Sequence, residues 1–282
     1  MKQKILFIAK EQKISDVGVC TAEKYREKEK GLDEKASFCA GGNCPEWAKS
    51  IVVCAFSYFS GAEKGNISRY AQGADYHFVA KEKMQKIADF LKEQGFLAEC
   101  FADTGALNER LLAQLAGIAF IGKNRMAINL RLGSWFFIGY ILTDCELEPD
   151  RENTGACTGC GNCISSCPLG ALDGETFCEE KCLSYITQKK GQISEKEADA
   201  MRKAKTMWGC DICQEVCPHN RDLSVCEIEE FRENLTINLF VDENISNKEF
   251  RRKHNNKAFA WRGKSVLVRN QRILYNNGEN RK

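Results

Sequence analysis

No stretch of this chain approaches the roughly 18 consecutive apolar residues of a membrane-spanning helix. The apolar run near its start, Ile5-Leu6-Phe7-Ile8-Ala9 after Met1-Lys2-Gln3-Lys4, is too short for a signal peptide. The expectation is a cytoplasmic protein with no membrane partner. Charge of one sign is lacking as well: 41 Lys and Arg against 39 Asp and Glu leave +2 over 282 residues, which by itself selects no partner. There is no Walker A loop, Gly-x-x-x-x-Gly-Lys-Ser/Thr, and no Gly-x-Gly-x-x-Gly near the first strand, so neither nucleotide hydrolysis nor NAD binding is supported. No repeat of solenoid period occurs. A hydrophobic share of 43% and a charged share of 28% exclude a disordered or fibrous chain, and the length suits about two domains or one large one.

What the chain does have is cysteine, sixteen in all. Without a secretory signal these are read as metal ligands rather than disulfides, because reducing compartments keep thiols free. Ten of them follow the polar stretch 146–154, which contains Pro149 and reads as a linker. The first part, 1–148, alternates helical and strand patterns: an amphipathic segment over 2–13, strands near 17–20 and 51–56, a helix between Tyr76 and Gln94 closed by Gly95, a strand over 96–102, and a helix over 107–116 closed by Gly117. Residues 126–130 and 135–143 are expected to pair across Arg131-Leu132-Gly133-Ser134. The expected fold is an α+β or α/β domain over 1–148, a ferredoxin-like domain over 149–225, and a short helical basic segment over 226–282. Basic residues concentrate in that last part: residues 245–282 hold eleven Lys and Arg against Glu249 and Glu279, a net +9, leaving −7 for the rest.

The spacing of the later cysteines is specific. Cys157-x2-Cys160-x2-Cys163-x3-Cys167-Pro168 is the bacterial ferredoxin run, in which three thiolates bind one [4Fe–4S] cluster and the fourth serves a second. A second run is filled at Cys210, Cys213 and Cys217-Pro218, with Met207 where its first cysteine would stand. The exchange rule assigns Cys157, Cys160, Cys163 and Cys217 to one cluster and Cys167, Cys210 and Cys213 to the other, whose remaining ligand comes from Cys182 or Cys178. Zinc held by C-x2-C pairs is the plain alternative, but zinc does not require this step pattern nearly twice. Cys20, Cys54, Cys100 and Cys145 read as small core residues. Cys39 and Cys44, flanking Gly41-Gly42-Asn43, are either loop residues or a labile metal or redox pair.

Further segments carry a family resemblance. Ser68-Arg69-Tyr70-Ala71 with Asp75-Tyr76-His77, Asp103-Thr104-Gly105 with Glu109-Arg110, Gly122-Lys123-Asn124, and Gly133-Ser134-Trp135-Phe136-Phe137 precede the ferredoxin run. Lys181-Cys182-Leu183-Ser184-Tyr185, Gly209-Cys210-Asp211-Ile212-Cys213 and Ala260-Trp261-Arg262-Gly263 follow it. In this order and spacing the chain resembles the epoxyqueuosine reductases of the queuosine tRNA-modification pathway, cobalamin-dependent enzymes with two [4Fe–4S] clusters. The resemblance implies a cobalamin-holding N-terminal domain, favours Cys182 over Cys178, and implies two-electron reduction of the epoxide in tRNA-bound epoxyqueuosine with loss of water. It also implies a tRNA anticodon stem-loop as partner and an external low-potential electron donor.

Opening an epoxide requires a proton on the departing oxygen, and Asp103 matches the family's proton donor; that role calls for a pKa raised by burial. On residue type alone Asp103 reads as a helix cap. Arg69, Tyr76, His77, Gly122, Lys123, Asn124, Ser134 and Trp135 match positions around the cofactor, where ordinary core and hairpin roles are the alternative. Two departures stand out: Ala106 replaces a common proline and Asn108 sits in a usually apolar segment, while the helical repeats with which many members continue are not matched before Lys282. A basic surface made of Lys248, Arg251, Arg252, Lys253, Lys257, Arg262, Lys264, Arg269 and Arg272 is expected to contact phosphates, if 247–254 and 265–274 are helices. Lys189-Lys190-Gly191 is a lesser candidate for RNA contact. The competing functions are a corrinoid reductase of a small molecule and a double-cluster electron carrier without corrinoid.

Overall fold

The computed structural model describes residues 1–30 and 43–275. In chain order the regular elements of the first part are α1 (Lys2–Glu11), β1 (Asp16–Thr21), α2 (Ala22–Lys30), β2 (Ser50–Ser57), α3 (Tyr76–Glu93), β3 (Ala98–Phe101), α4 (Glu109–Leu115), β4 (Phe120–Ile121), β5 (Ala127–Ile128) and β6 (Phe136–Thr143). The four longer strands form one sheet in the order β1-β2-β6-β3, antiparallel throughout. All eight residues of β2 are buried, because helices cover both faces. Val52, Cys54 and Phe56 point into a core shared with Met84, Ile87 and Leu91 of α3 and Ile5 of α1. Ile51, Val53 and Ala55 point into the opposite core with Tyr25 of α2 and Leu112 and Leu115 of α4. A strand buried on both faces shows a continuous apolar run whether its neighbours are parallel or antiparallel, which is why the sequence left α/β and α+β both open; the antiparallel pairing decides for α+β.

The expected hairpin of 126–130 with 135–143 is corrected. β5 pairs with β4, and β6 is taken on both edges by β2 and β3; the isolated bridge Asn129 to Gly133 closes the turn without pairing the two segments. Asn129 governs the turn: its Oδ1 accepts from the Arg131 and Leu132 amides at 2.8 and 3.2 Å, while its Nδ2 donates to Ile118 O and to Asp16 at 2.7 and 2.8 Å.

The second part holds shorter helices: α5 (Asn162–Ser165), α6 (Leu183–Gln188), α7 (Glu195–Ala204), α8 (Ile212–Glu215), α9 (Glu229–Arg232), α10 (Asn247–Lys253) and α11 (Lys264–Tyr275). Its cysteine turns use glycine where the backbone is left-handed, with φ of +70° at Gly159 and +76° at Gly161. The C-terminal residues fold back on the rest. Cys226, Ile228 and Phe231 belong to the core beneath the sheet, and Phe250, Phe259 and Leu267 pack with Ile67, Ala71 and Trp208. Among the described residues no helix is long and apolar enough to cross a membrane. Cys20, Cys44, Cys54 and Cys145 are buried and Cys100 half-buried, as core residues; Cys39 lies outside the described residues.

The close approach of β1 to α4 makes a test of this packing. A Cβ on Gly18 would stand 2.0 Å from the Ala116 carbonyl oxygen, and backbone cannot swing aside as a flexible side chain can. Gly18→Ala is expected to lower stability by about 1–3 kcal/mol or more, seen as an earlier midpoint in urea denaturation; an unchanged midpoint contradicts the contact.

Candidate active site

A cleft of about 640 Å3 lies between the sheet domain and the cysteine-bearing part. Tyr76 from the start of α3, Asp103 from the loop before α4, Glu109 from the first position of α4, and Phe136 and Phe137 from β6 line one side; Cys182, Cys210 and Cys213 line the other. Cys167 is near these three thiols. Burial pushes the Cys210 thiol up to about 12 and Cys213 higher still, so metal uptake here releases protons. A separate small cavity is ringed by Cys157, Cys160, Cys163 and Cys217 together with Lys123 and Asn124. Among the described residues no three His, Cys, Asp or Glu are grouped to hold a single metal ion.

Asp103 does not cap a helix. Asn108 does, its side chain accepting from the Leu111 amide at 3.1 Å, and this explains a polar residue at that place. Asp103 instead adopts a left-handed backbone, φ +58°, and turns its carboxylate to the start of α3. There it accepts from the Tyr76 hydroxyl at 2.5 Å and lies 3.3 Å from His77 Nε2. His77 Nδ1 is 2.7 Å from Asp75, whose side chain also caps α3 through the His77 amide. Tyr76 stacks between the His77 ring and Phe137, each with centroids 4.1 Å away.

These contacts set the charges. Burial alone pulls His77 down, but hydrogen bonds and charge from Asp103 and Asp75 more than reverse it, carrying it to about 9. Burial pushes Asp103 up, yet His77 and Tyr76 as hydrogen-bond partners, with the charges of His77 and Arg110, outweigh it and leave Asp103 below its ordinary value. The expectation of a raised Asp103 pKa is thus corrected: with a side chain 58% exposed and two donors, it is an anion paired with a histidinium. The carboxyl that burial does raise is Glu109, to about 8.

The second cysteine run is bolted to the sheet domain by buried polar groups. The Asp211 carboxylate, between Cys210 and Cys213, accepts from the Ser68 hydroxyl and from the Arg69 amide at 2.7 Å. Ser134 donates to Gln214 at 2.9 Å, and Asn220 bonds the Ser134 hydroxyl, the Ser134 amide and Gln214 O within 2.8 Å.

Comparison with known proteins follows the same division. Residues 42–104 match the family model described as Epoxyqueuosine reductase QueG, DUF1730, and residues 156–220 match the 4Fe-4S double cluster binding domain. A relative named epoxyqueuosine reductase, from Lactococcus garvieae, is 34% identical over 252 residues, 84% of this chain and 71% of that protein. The chain belongs to the epoxyqueuosine reductase family. A solved epoxyqueuosine reductase with a tRNA-Tyr epoxyqueuosine-modified stem loop superposes with a TM-score of 0.84 at 27% identity, over 97% of this chain and 80% of that one. One from Bacillus subtilis, with its catalytic aspartate loop swung out of the active site, gives 0.80 at 26% identity over the same shares.

Of the positions matched to epoxyqueuosine reductases, Tyr76, Asp103, Asn124 and Ser134 line the cleft, with His77 behind Asp103. Trp135 does not; it is 2% exposed, edge-on to Tyr58, and part of the core. Arg69 lies over Phe59 and Trp135 with its guanidinium on the Ala62 carbonyl. Gly122 shapes the turn where its missing side chain leaves room for Asn124 and Ile128, and Lys123 faces the small cysteine cavity. Glu109, Arg110, Gln214 and Trp261 also line the cleft, as does Arg262, expected on the basic surface; the signals for Glu109 were an acid near a helix start and its place in a family-matching segment.

The expected basic surface is narrower than foreseen. Its helices form, but Lys257, Lys264 and Arg269 donate to backbone carbonyls and Arg272 pairs with Glu243. Lys248, Arg251, Arg252 and Lys253 remain exposed along α10. Lys189 is engaged by Glu197.

The charge assignment is open to direct test. With three histidines in the chain, the His77 ring resonance is resolvable by NMR and is expected to titrate near pH 9. Asp103→Asn, which removes the facing charge, is expected to lower that midpoint; a midpoint that stays put contradicts the pair.

Proposed function

We propose that this protein reduces the epoxide of tRNA-bound epoxyqueuosine to the alkene of queuosine. The observation that carries the reading is the cleft itself, which sets a Tyr76–Asp103–His77 proton network across from three thiols of a double-cluster domain. The epoxide takes up two electrons and two protons and gives the carbon–carbon double bond and one water. When bound in the cleft, cobalamin would supply an electron-rich cobalt centre, and two [4Fe–4S] clusters would supply electrons one at a time. Tyr76, Asp103, Asn124 and Ser134 would hold the cobalamin on the sheet side of the cleft.

The chain's own residues handle the protons. Asp103 takes the proton from the histidinium of His77 and delivers it to the epoxide oxygen, while Asp75 keeps the imidazole oriented through Nδ1. Substrate entry desolvates Asp103, which favours its neutral form and thereby the transfer. That the Bacillus subtilis relative is seen with its catalytic aspartate loop swung out supports a role for Asp103 that depends on its loop. The stem loop held by the other solved relative supports tRNA as substrate here, with α10 as a phosphate-facing surface and the modified base withdrawn from its stack. The cluster ligands are Cys157, Cys160, Cys163 and Cys217 for one cluster, and Cys167, Cys182, Cys210 and Cys213 for the other. Cys182 rather than Cys178 completes the second set because it stands with Cys167, Cys210 and Cys213, each close enough to act on the others' charge. The working division of the chain is 1–148 for the cobalamin domain, 149–225 for the clusters and 226–282 for the basic segment, with an external low-potential donor.

Asp103→Asn is expected to bind cobalamin and to turn over about 100- to 10,000-fold more slowly on an epoxyqueuosine stem loop; near-native turnover refutes its role as acid. The reconstituted protein is expected to contain about eight irons. Cys182→Ala is expected to lose one cluster by iron and sulfide analysis and Cys178→Ala none; equal losses overturn the ligand assignment.

A further inference from the structure

The carboxylate of Asp103 can reach both Tyr76 and His77 only because its backbone holds a left-handed turn, φ +58°, a conformation that costs a non-glycine residue roughly 1–3 kcal/mol unless its surroundings impose it. The far end of the loop is firmly held: the Leu107 amide donates to the Tyr140 hydroxyl at 3.3 Å, the Asn108 amide to the Tyr25 hydroxyl at 2.7 Å, and Asn108 caps α4. Gly105 lies so close to Tyr140 that a Cβ there would stand 1.9 Å from the hydroxyl. The near end, at Asp103 itself, is held by a different contact. Its amide donates to Glu109 Oε1 at 2.6 Å, from the first residue of α4 back across the loop. Thr104 and Ala106, between these anchors, are exposed.

We propose that Glu109 is the positioning residue of the acid loop, its carboxyl group latching the Asp103 amide so that the Asp103 side chain stays between Tyr76 and His77 over the cleft. The proposal rests on the reading of Asp103 as the acid, and it gives that acid a control the reaction itself does not require. A neutral carboxyl accepts the amide without placing a second anion against Asp103. Below its raised pKa of about 8 Glu109 is in that form. Above it, a buried carboxylate carries the cost of its own desolvation, with the Asp103 charge adding to it, and release of the loop into water relieves that cost. The groups facing Glu109 are Asp103, Arg110, His77 and Tyr76. Burial above all, and the Asp103 charge, oppose the ionised form, while the Asp103 amide, Arg110 and the His77 cation favour it.

Three forms of the full-length reconstituted protein test this: wild type, Glu109→Ala and Glu109→Gln. Glutamine keeps the shape and a carbonyl acceptor and cannot ionise. Hydrogen–deuterium exchange over residues 101–108 is expected to speed up in Glu109→Ala and to stay native in Glu109→Gln. On an epoxyqueuosine stem loop, Glu109→Ala is expected to lose about 100-fold in kcat, since displacement of a catalytic group by about an ångström has that effect, with KM little altered. Glu109→Gln is expected to restore most of kcat and to remove the loss of rate that wild type shows as pH rises through about 8. Native exchange in Glu109→Ala overturns the latch, and a Glu109→Gln variant as slow as Glu109→Ala shows that the carboxyl acts as a proton donor instead. Because exchange is read without turnover, a wild-type protein inactive on epoxyqueuosine removes the functional reading and leaves the latch separately judged.

Discussion

The structure depends on one buried carboxylate. Asp211 sits inside the Cys210-x2-Cys213 turn, 8% exposed, and takes two hydrogen bonds from Ser68 and Arg69 of the other part of the chain. Burial pushes its pKa up against those bonds, and a charge in that position is tolerable only while both donors stay in place. Losing either donor while the carboxylate stays buried would cost several kcal/mol, which holds the cysteine turn and the segment leading to α3 in register with each other. Ser134, Gln214 and Asn220 repeat the connection nearby. The cleft, whose walls come from segments far apart in sequence, inherits its shape from this joint.

Within that fixed frame, the chemistry is placed on the parts that can move. Tyr76 and His77 stand on the first turn of an 18-residue helix packed against the sheet, and the facing thiols stand on the clamped turn. Asp103 alone is carried by an exposed loop. On the proposed reading of Asp103 as the acid, such a division leaves the two rigid walls at a set separation while the proton-delivering group sits on the loop. It also explains why Asp103 is anionic before substrate binds: an exposed carboxylate beside a cation keeps its charge, and only loss of water around it favours transfer of the proton.

Much of this was legible in the sequence, and the unread part has a common cause. α3 and its closing Gly95 follow from apolar spacing, and the grouping of the later cysteines around two cavities follows from their steps. The family was legible from short segments in a fixed order. What was missed involves side chains bonding to distant backbone or to each other. Asn129 redirects a chain that reads as a hairpin, Asn108 takes the capping role that residue type allowed to Asp103, and Trp135 turns into the core although its neighbour Ser134 lines the cleft. The basic tail misled for the same reason. Charge counts do not show that Lys257, Lys264 and Arg269 are spent on backbone carbonyls.

The central claim is that cobalamin and an iron–sulfur cluster share this cleft, with Cys182, Cys210 and Cys213 in its wall. Low-temperature EPR of the anaerobically reconstituted protein, poised so that cobalt(II) and a reduced cluster coexist, tests it most directly. The account predicts a cobalt signal broadened or split by the neighbouring cluster, and recovery of the narrow signal when the cluster is oxidised. A cobalt signal indifferent to the state of the clusters, or cobalamin that does not stay with the protein, contradicts it.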